Sequence, residues 1–264
     1  MNVTLERTVR FFINPRPDRS PLASSGFAGN PGPDGLARYY EIDAACSGTP
    51  DPTTGYLVNI KTVDQAVRST AVPMLERAAT ESPTADPAEL LEPLARAVAQ
   101  ALPVRLERLT WRLGPFHAWS IEMSDPTKVI LRQRFDFAAA HRLHVPSLSD
   151  DENRERFGKC NNPSGHGHNY QVEPAVAVDP ASAFTQADLT RLTEACVIDA
   201  FDHTHLNVDT TEFKQDAGGV NPSVENIAKV CFVRLEPAVR ERGGELRTIT
   251  VWETDRTSCT YPAR

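Results

Sequence analysis

The run Phe157-Gly-Lys-Cys160-Asn-Asn-Pro-Ser-Gly-His166-Gly-His168-Asn-Tyr170 sets a thiol six residues before a His-Gly-His. A further histidine, His141, lies upstream in Phe135-Asp-Phe-Ala-Ala-Ala-His141-Arg-Leu-His144. Three imidazoles suffice for a zinc site with one open position, and a cysteine beside it can serve as base or nucleophile. That chemistry is enzymatic, and it lies wholly in the second half of the chain. Of the seven histidines, six fall between His141 and His205, and only His117 lies outside.

His166 and His168 are two apart, so on a strand both rings point to one side and can reach one ion. His141 would join them from the end of a neighbouring antiparallel strand. A lone His-x-His is more often a pair of polar loop residues, since zinc needs a third ligand. His144 reads as pointing away, in a solvent-exposed or supporting role. Cys160 could be a fourth ligand, which would close the site and make it structural. Two features weigh against that: the Asn-Asn-Pro-Ser-Gly spacer can lift the thiol off the metal, and Asp202-His203 forms a second chemical cluster. A carboxylate beside an imidazole fixes its tautomer and raises its basicity, and such a pair near a thiol can hold it as thiolate. The plainer reading of Asp202-His203 is a pair at a helix C-terminus. Glu253 ends a strand, where its carboxylate can accept two parallel hydrogen bonds from a guanidine-like edge. Ser223 reads as a helix N-cap, and Glu225 as an acid in the first helical turn.

Composition bounds the alternatives. The chain has 264 residues, 40% apolar and 24% charged, as in a soluble globular protein. A net charge of −7 argues against a general nucleic-acid binder. No apolar run approaches the roughly 20 residues that span a bilayer, and Met1-Asn-Val-Thr-Leu-Glu-Arg7 lacks a signal-type apolar stretch. The expected location is cytoplasmic. The five cysteines are Cys46, Cys160, Cys196, Cys231 and Cys259, an odd number without a CxxC, so a disulfide framework is not expected. Cys196 and Cys231 sit in apolar helical patterns, and Cys46 and Cys259 in strand-like segments.

The elements that must hold these residues are written twice. The first half predicts strands over 8–14, 38–45 and 107–113, with helices near 62–79 and 87–101. The second predicts strands over 129–137, 169–178 and 246–253, with helices near 186–200 and 223–241. Each half has a loop after its first strand (the Pro/Gly-rich 15–35 and the polar 145–166) and an Asp-Pro turn, at Asp51-Pro52 and Asp179-Pro180. Each last strand carries one tryptophan, Trp111 or Trp252. A repeat of about 130 residues means duplicated domains. The join falls near Ser124-Asp-Pro-Thr127, giving domains 1–124 and 128–264. Paired strands with two helices between the pairs imply an α+β fold with antiparallel sheets. The first half has Pro, Ser, Gly and Asn where the second has His141, Cys160, His166 and His168, so it reads as a scaffold.

Over roughly 129–262 the chain resembles the 6-pyruvoyltetrahydropterin synthase family, which includes the 6-carboxytetrahydropterin synthases of queuosine synthesis. The resemblance is carried by His141-Arg-Leu-His144, the Cys160–His168 block, Asp202-His203, Glu225-Asn226 and Trp252-Glu-Thr-Asp255. It implies two tandem tunnelling-fold domains, each a four-stranded antiparallel sheet with two helices on one face. It implies zinc on His141, His166 and His168, and proton transfer by Cys160, Asp202 and His203. Glu253 would anchor a pterin ring, helped by Ser223 and Glu225. The implied reaction converts 7,8-dihydroneopterin triphosphate to 6-pyruvoyltetrahydropterin. The five-residue spacer resembles the pyruvoyl-forming branch. The 6-carboxytetrahydropterin branch and a non-catalytic zinc- and pterin-binding protein are the alternatives. The expected partners are a small-molecule pterin and other copies of the chain, as a trimer mimicking a hexamer, with no nucleic acid or membrane.

Overall fold

In the computed structural model, which describes residues 1–15 and 24–263, the chain divides into two compact units. One comprises Met1–Leu131 and Val178–Ser182, the other Arg132–Ala177 and Ala183–Arg264. Residues 16–23 of the 15–35 loop lie outside the described residues.

The first unit opens on β1 (Val3–Ile13) and β2 (Arg38–Gly48), continues through α1 (Ile60–Glu81) and α2 (Pro87–Ala101), and ends in β3 (Arg105–Gly114) and β4 (His117–Glu122). The strands pair antiparallel in the order β1-β2-β3-β4. The side chains of Asn59 and Asp86 cap the two helices, each accepting from a first-turn amide. Pro87 sits in the first turn, where its missing N–H costs nothing. α1 packs on β1, and α2 on β3 and β4. Phe11, Ile42, Leu109 and Ile121 meet Val63, Val67, Leu91, Leu94 and Val98 in the core. Strand β4 is an addition to the sequence reading. Ala118, Trp119, Ser120 and Ile121 are all buried, so it lacks the alternation that marks a half-exposed strand.

The second unit carries the histidines. The division falls within β5 (Val129–Gln133), and β6 (Phe135–His141) follows. The single strand expected over 129–137 is therefore broken at Arg134. Arg134 turns out to ion-pair with Glu173 at 3.2 Å and to lie over the Trp252 ring at 4.1 Å. The polar loop expected over 145–166 contains α3 (Asp150–Phe157) and a 3-10 turn, Gly158–Asn161. A capping box starts α3: Ser149 accepts from the Glu152 amide, and the Glu152 side chain accepts from Ser149. Ser149-Asp-Asp-Glu152 is legible as that signature, but the helix buries only Asn153 and has no apolar face to read.

Next come β7 (His166–Val178), α4 (Gln186–Thr193), a π turn Glu194–Ile198, α5 (Asp199–Phe201), β8 (Thr204–His205) and α6 (Leu206–Asp209). After α7 (Val224–Glu241) the unit closes with β9 (Glu245–Thr254) and β10 (Thr257–Tyr261). Strands β6, β7, β9 and β10 pair antiparallel in that order, and β8 adds a two-residue parallel bridge to the other edge of β6. The π turn corrects the helix read over 186–200. Its wider turn puts Leu189, Thr193, Val197 and Phe201, four apart, on the buried face and leaves Cys196 half-buried. α7 packs on β9 and β10 through Ile227, Ala228, Cys231, Leu235 and Val239, as its periodicity predicts. Cys46 and Cys259 lie in β2 and β10, and all five cysteines are free. The fold is thus α+β with antiparallel strands. No helix among the described residues is long and apolar enough to cross a membrane.

Candidate active site

The histidines are brought together by strand register. His141 is the last residue of β6 and pairs with His166, the first of β7, while His168 pairs with Ala139. Alternation puts His166, His168 and Tyr170 on one face of β7, beside His141 and Phe137 on β6. Phe137 and Tyr170 stack with centroids 5.0 Å apart and form the buried floor of this face. Gly165 ends the preceding turn with φ +72°, a conformation that favours glycine. A Cβ there would lie 2.7 Å from His205 Nε2 and 3.0 Å from the His141 carbonyl oxygen.

His141 is fully buried. Its Nδ1–H donates to the Pro222 carbonyl at 2.7 Å, which leaves a lone pair on Nε2. That Nε2 lies 3.1 Å from His166 Nε2. One ligand atom from each of the three rings can be chosen so that all lie within 4.8 Å of one another. Burial pushes His141 down to about 4 and also lowers His166, so both rings stay neutral near pH 7. His168 Nε2 and His166 Nδ1 are buried without a hydrogen-bond partner among the described residues. Neutral imidazoles with unshared lone pairs are the donor set that a borderline divalent ion such as zinc takes. The residues therefore fit zinc, and the described residues hold no other such group of three.

Glu253, near the end of β9, reaches the same cluster. Its Oε1 is 3.6 Å from His141 Nε2 and 3.8 Å from His168 Nε2. Burial, and then the Glu253 carboxylate, push the Cys160 thiol up. The thiol is thereby held in its protonated form. The 3-10 turn that carries it is anchored, since Leu143 N–H donates to the Cys160 carbonyl at 2.9 Å. Asn161 donates to the Leu143 carbonyl at 2.7 Å and to His144 Nδ1 at 3.1 Å. His144 supports the thiol's turn and stays out of the ligand set.

Asp202 and His203 form the expected pair on the outer edge of β6. Asp202 Oδ2 lies 2.8 Å from His203 Nδ1, and Oδ1 accepts from the Ala138 amide at 2.8 Å. These contacts hold the carboxyl below its usual range. The His203 amide donates to the Ala138 carbonyl at 2.6 Å, and among the described residues His203 is the one non-glycine with positive φ, at 56°. Its ring is 83% exposed. Among the described residues the pair makes no hydrogen bond to Cys160, and β6 and β7 stand between β8 and the Glu253 strand. An open groove of about 620 Å³ is nevertheless lined by both His168 and His203, together with His205, Asn169 and Asp209. The arrangement therefore brings the Glu253 carboxylate to the imidazole cluster from β9 and a carboxylate–imidazole pair to the outer edge of β6.

Ser223 caps α7, accepting from the Asn226 amide at 3.4 Å, and it follows Pro222, the partner of His141. Glu225 is exposed in the first turn of α7, and burial and then Glu225 raise the Cys259 thiol. His205 is the residue that sequence reasoning passed over. Its Nδ1 is buried and has no hydrogen-bond partner among the described residues. The signal was present as a second imidazole in His203-Thr-His205.

The family model described as 6-pyruvoyl tetrahydropterin synthase matches residues 130–264. The human 6-pyruvoyl tetrahydrobiopterin synthase is 38% identical over 133 residues, covering 49% of this chain and 88% of the human one. A Caenorhabditis elegans protein named a putative 6-pyruvoyl tetrahydrobiopterin synthase is 40% identical over 138 residues, covering 50% of this chain and 94% of its own. The solved structure of the C. elegans 6-pyruvoyl tetrahydropterin synthase is 36% identical, with a TM-score of 0.47, covering 52% of this chain and 96% of that one. The aligned stretch begins just before the strand that ends in His141 and runs through the thiol, the His-Gly-His and Glu253, and on that match the chain belongs to the 6-pyruvoyl tetrahydropterin synthase family.

Proposed function

We propose that this chain is a zinc-dependent lyase that converts 7,8-dihydroneopterin triphosphate to 6-pyruvoyltetrahydropterin with release of triphosphate. The observation that carries the reading is the cluster of His141, His166 and His168, whose ligand atoms lie within 4.8 Å of one another, in a chain of this family. His141, His166 and His168 would hold the zinc, which when bound supplies Lewis-acid polarisation of the substrate's side-chain hydroxyls.

The chain's own groups would do the rest. The Glu253 carboxylate would accept two hydrogen bonds from the guanidine-like edge of the pterin ring. Ser223 and Glu225 would hold the ring's far side. Cys160 would remove a carbon-bound proton from the side chain, on the Glu253 side of the cluster. Its thiol is raised by burial and then by Glu253, so it starts the reaction protonated. Asp202 would hold the His203 Nδ1–H and leave Nε2 at the exposed end to carry protons on the opposite face. The reaction is an internal redox: triphosphate leaves, the side chain is oxidised to the diketone, and the ring is reduced.

The first domain, 1–124, would be a tunnelling-fold scaffold without a metal site, in tandem with the catalytic domain 128–264. Three such two-domain chains would assemble as a pseudo-hexamer, with neighbouring subunits covering the exposed His203 groove. The test is to incubate the zinc-loaded protein with 7,8-dihydroneopterin triphosphate and identify products by mass spectrometry. Triphosphate with 6-pyruvoyltetrahydropterin is expected. Formation of 6-carboxytetrahydropterin and acetaldehyde would move the chain to the queuosine branch. Bound zinc and bound pterin without turnover would make it a binding protein.

A further inference from the structure

The first unit holds a cavity of about 380 Å³, in the size range of small-molecule sites. It lies where the start of β2 and the end of β3 meet the end of α1 and the start of α2. Strand register makes its floor. Ile42 pairs with Trp111, so Trp111 shares a face with Tyr40 and Arg38, which precede Ile42 at alternate positions. The Tyr40 and Trp111 rings meet edge to face, with centroids 5.4 Å apart. Leu75, Leu90 and Leu113 supply apolar walls. Arg38 is the one charged residue among those that line the cavity, and no carboxylate joins it there.

Two lining residues are donors without acceptors. Trp111 is 4% exposed, and its Nε1–H is buried with no hydrogen-bond partner among the described residues. An indole nitrogen only donates, so no shift of protons can satisfy it. A buried donor left unpaired is costly, and a ligand that brings an acceptor removes that cost. Arg38 is exposed and makes no ion pair among the described residues, and its guanidinium likewise only donates. An apolar slot whose fixed polar groups are donors selects a ligand that is apolar at one end and carries oxygen acceptors at the other. A guanidinium takes such oxygens best from a carboxylate, which it can grip with two parallel hydrogen bonds. The two rings of the floor favour a flat aromatic body.

We infer that the first unit binds a small aromatic carboxylate in this cavity, with the carboxylate at Arg38 and the ring against Tyr40 and Trp111. The cavity is made of first-unit residues alone, so the inference does not rest on the proposed reaction. The half of the chain that reads as a scaffold is then a ligand-binding unit in its own right.

The test is calorimetric titration of 2-naphthoate, and of the neutral 2-naphthamide, into the full chain with and without zinc. Wild type is compared with R38Q, W111F, A79F and R77Q. Ala79 lines the cavity, so A79F fills it, whereas Arg77 is an exposed cation of the same helix outside the lining. Melting temperature and zinc content are checked for each, and the exposed R38Q carries the test if W111F or A79F fails to fold. The expected result is naphthoate binding that does not need zinc and is unchanged in R77Q. It should weaken about threefold or more in R38Q and about fivefold in W111F, and be lost in A79F. Naphthamide should bind wild type about threefold or more weakly than naphthoate and be indifferent to R38Q. No naphthoate binding to wild type, or equal affinity in wild type, R38Q and a folded A79F, overturns the inference. Binding that disappears with zinc and persists in A79F puts naphthoate on the imidazole cluster and overturns it as well. Naphthamide binding as tightly as naphthoate overturns the carboxylate assignment.

Discussion

At the scale of single residues, Cys160 and His141 make separate predictions for the candidate site. Cys160 is not among the group of three that could hold a metal ion. Cys160→Ala is therefore expected to retain zinc, measured by metal analysis, and to lose turnover by about a hundredfold or more. Loss of zinc in that variant would make the thiol a ligand. His141 makes a separate prediction for the metal-free chain. Burial lowers its pKa from 6.5 to about 4, so between those values the unfolded chain binds more protons than the folded one. Stability contributed by the neutral ring is present above pH 6.5 and declines as pH falls toward 4, by up to roughly 3 kcal/mol. Denaturant unfolding in chelator at pH 7 and pH 4.5 should show this fall in wild type and a flatter response in His141→Asn. The residue types of this site were legible because imidazole and thiol are rare and were clustered. The roles of Glu253 and His205 at the cluster were not, since β9 and β8 are brought to it only by pairing with β7 and β6.

At the scale of elements, the site depends on two tight connections. Gly165 lets the chain enter β7 so that His166 and His168 point at His141. Gly165→Ala should cost about 1–3 kcal/mol, from strain at positive φ and collision with His205 and the His141 carbonyl. It should also weaken zinc retention. Adding His205→Ala should recover only part of the loss, because the φ and the His141 carbonyl remain; melting temperature and metal content read both effects. The second connection is α3 with its 3-10 turn. Ser149→Ala removes the capping box, and hydrogen exchange should accelerate in 150–161 while the global melting temperature barely moves. Elements with an apolar period, such as α7, were readable from sequence. α3, β4 and the π turn were not, because burying one residue, burying both faces, or widening one turn each removes the period on which such reading depends.

At the scale of the whole molecule, the family match covers residues 130–264, and the first unit has an antiparallel sheet and two helices of its own. The proposed trimer predicts a solution mass of three times the 29.1 kDa chain by light scattering. A mass of one or two chains would rule it out. The 83% exposure of the His203 ring is the feature that an assembled neighbour would remove, so carbethoxylation of His203 should be slow in the oligomer and fast in dissociated chain.

By itself the sequence determined the kinds of chemistry available. Its histidines, its thiol and the Asp-His pair are local in the chain, and their spacing predicted a shared strand face for His166 and His168. It also determined the α+β alternation, because periodicity is a local property. Tertiary structure alone decided which groups meet. It put Glu253 within 4 Å of two imidazoles and committed His141 Nδ1 to Pro222. It also set Asp202-His203 at the outer edge of β6, two strands from the β9 that carries Glu253. Those outcomes follow from strand register and from burial. Both depend on residues far apart in sequence, whose energies of contact no local pattern contains.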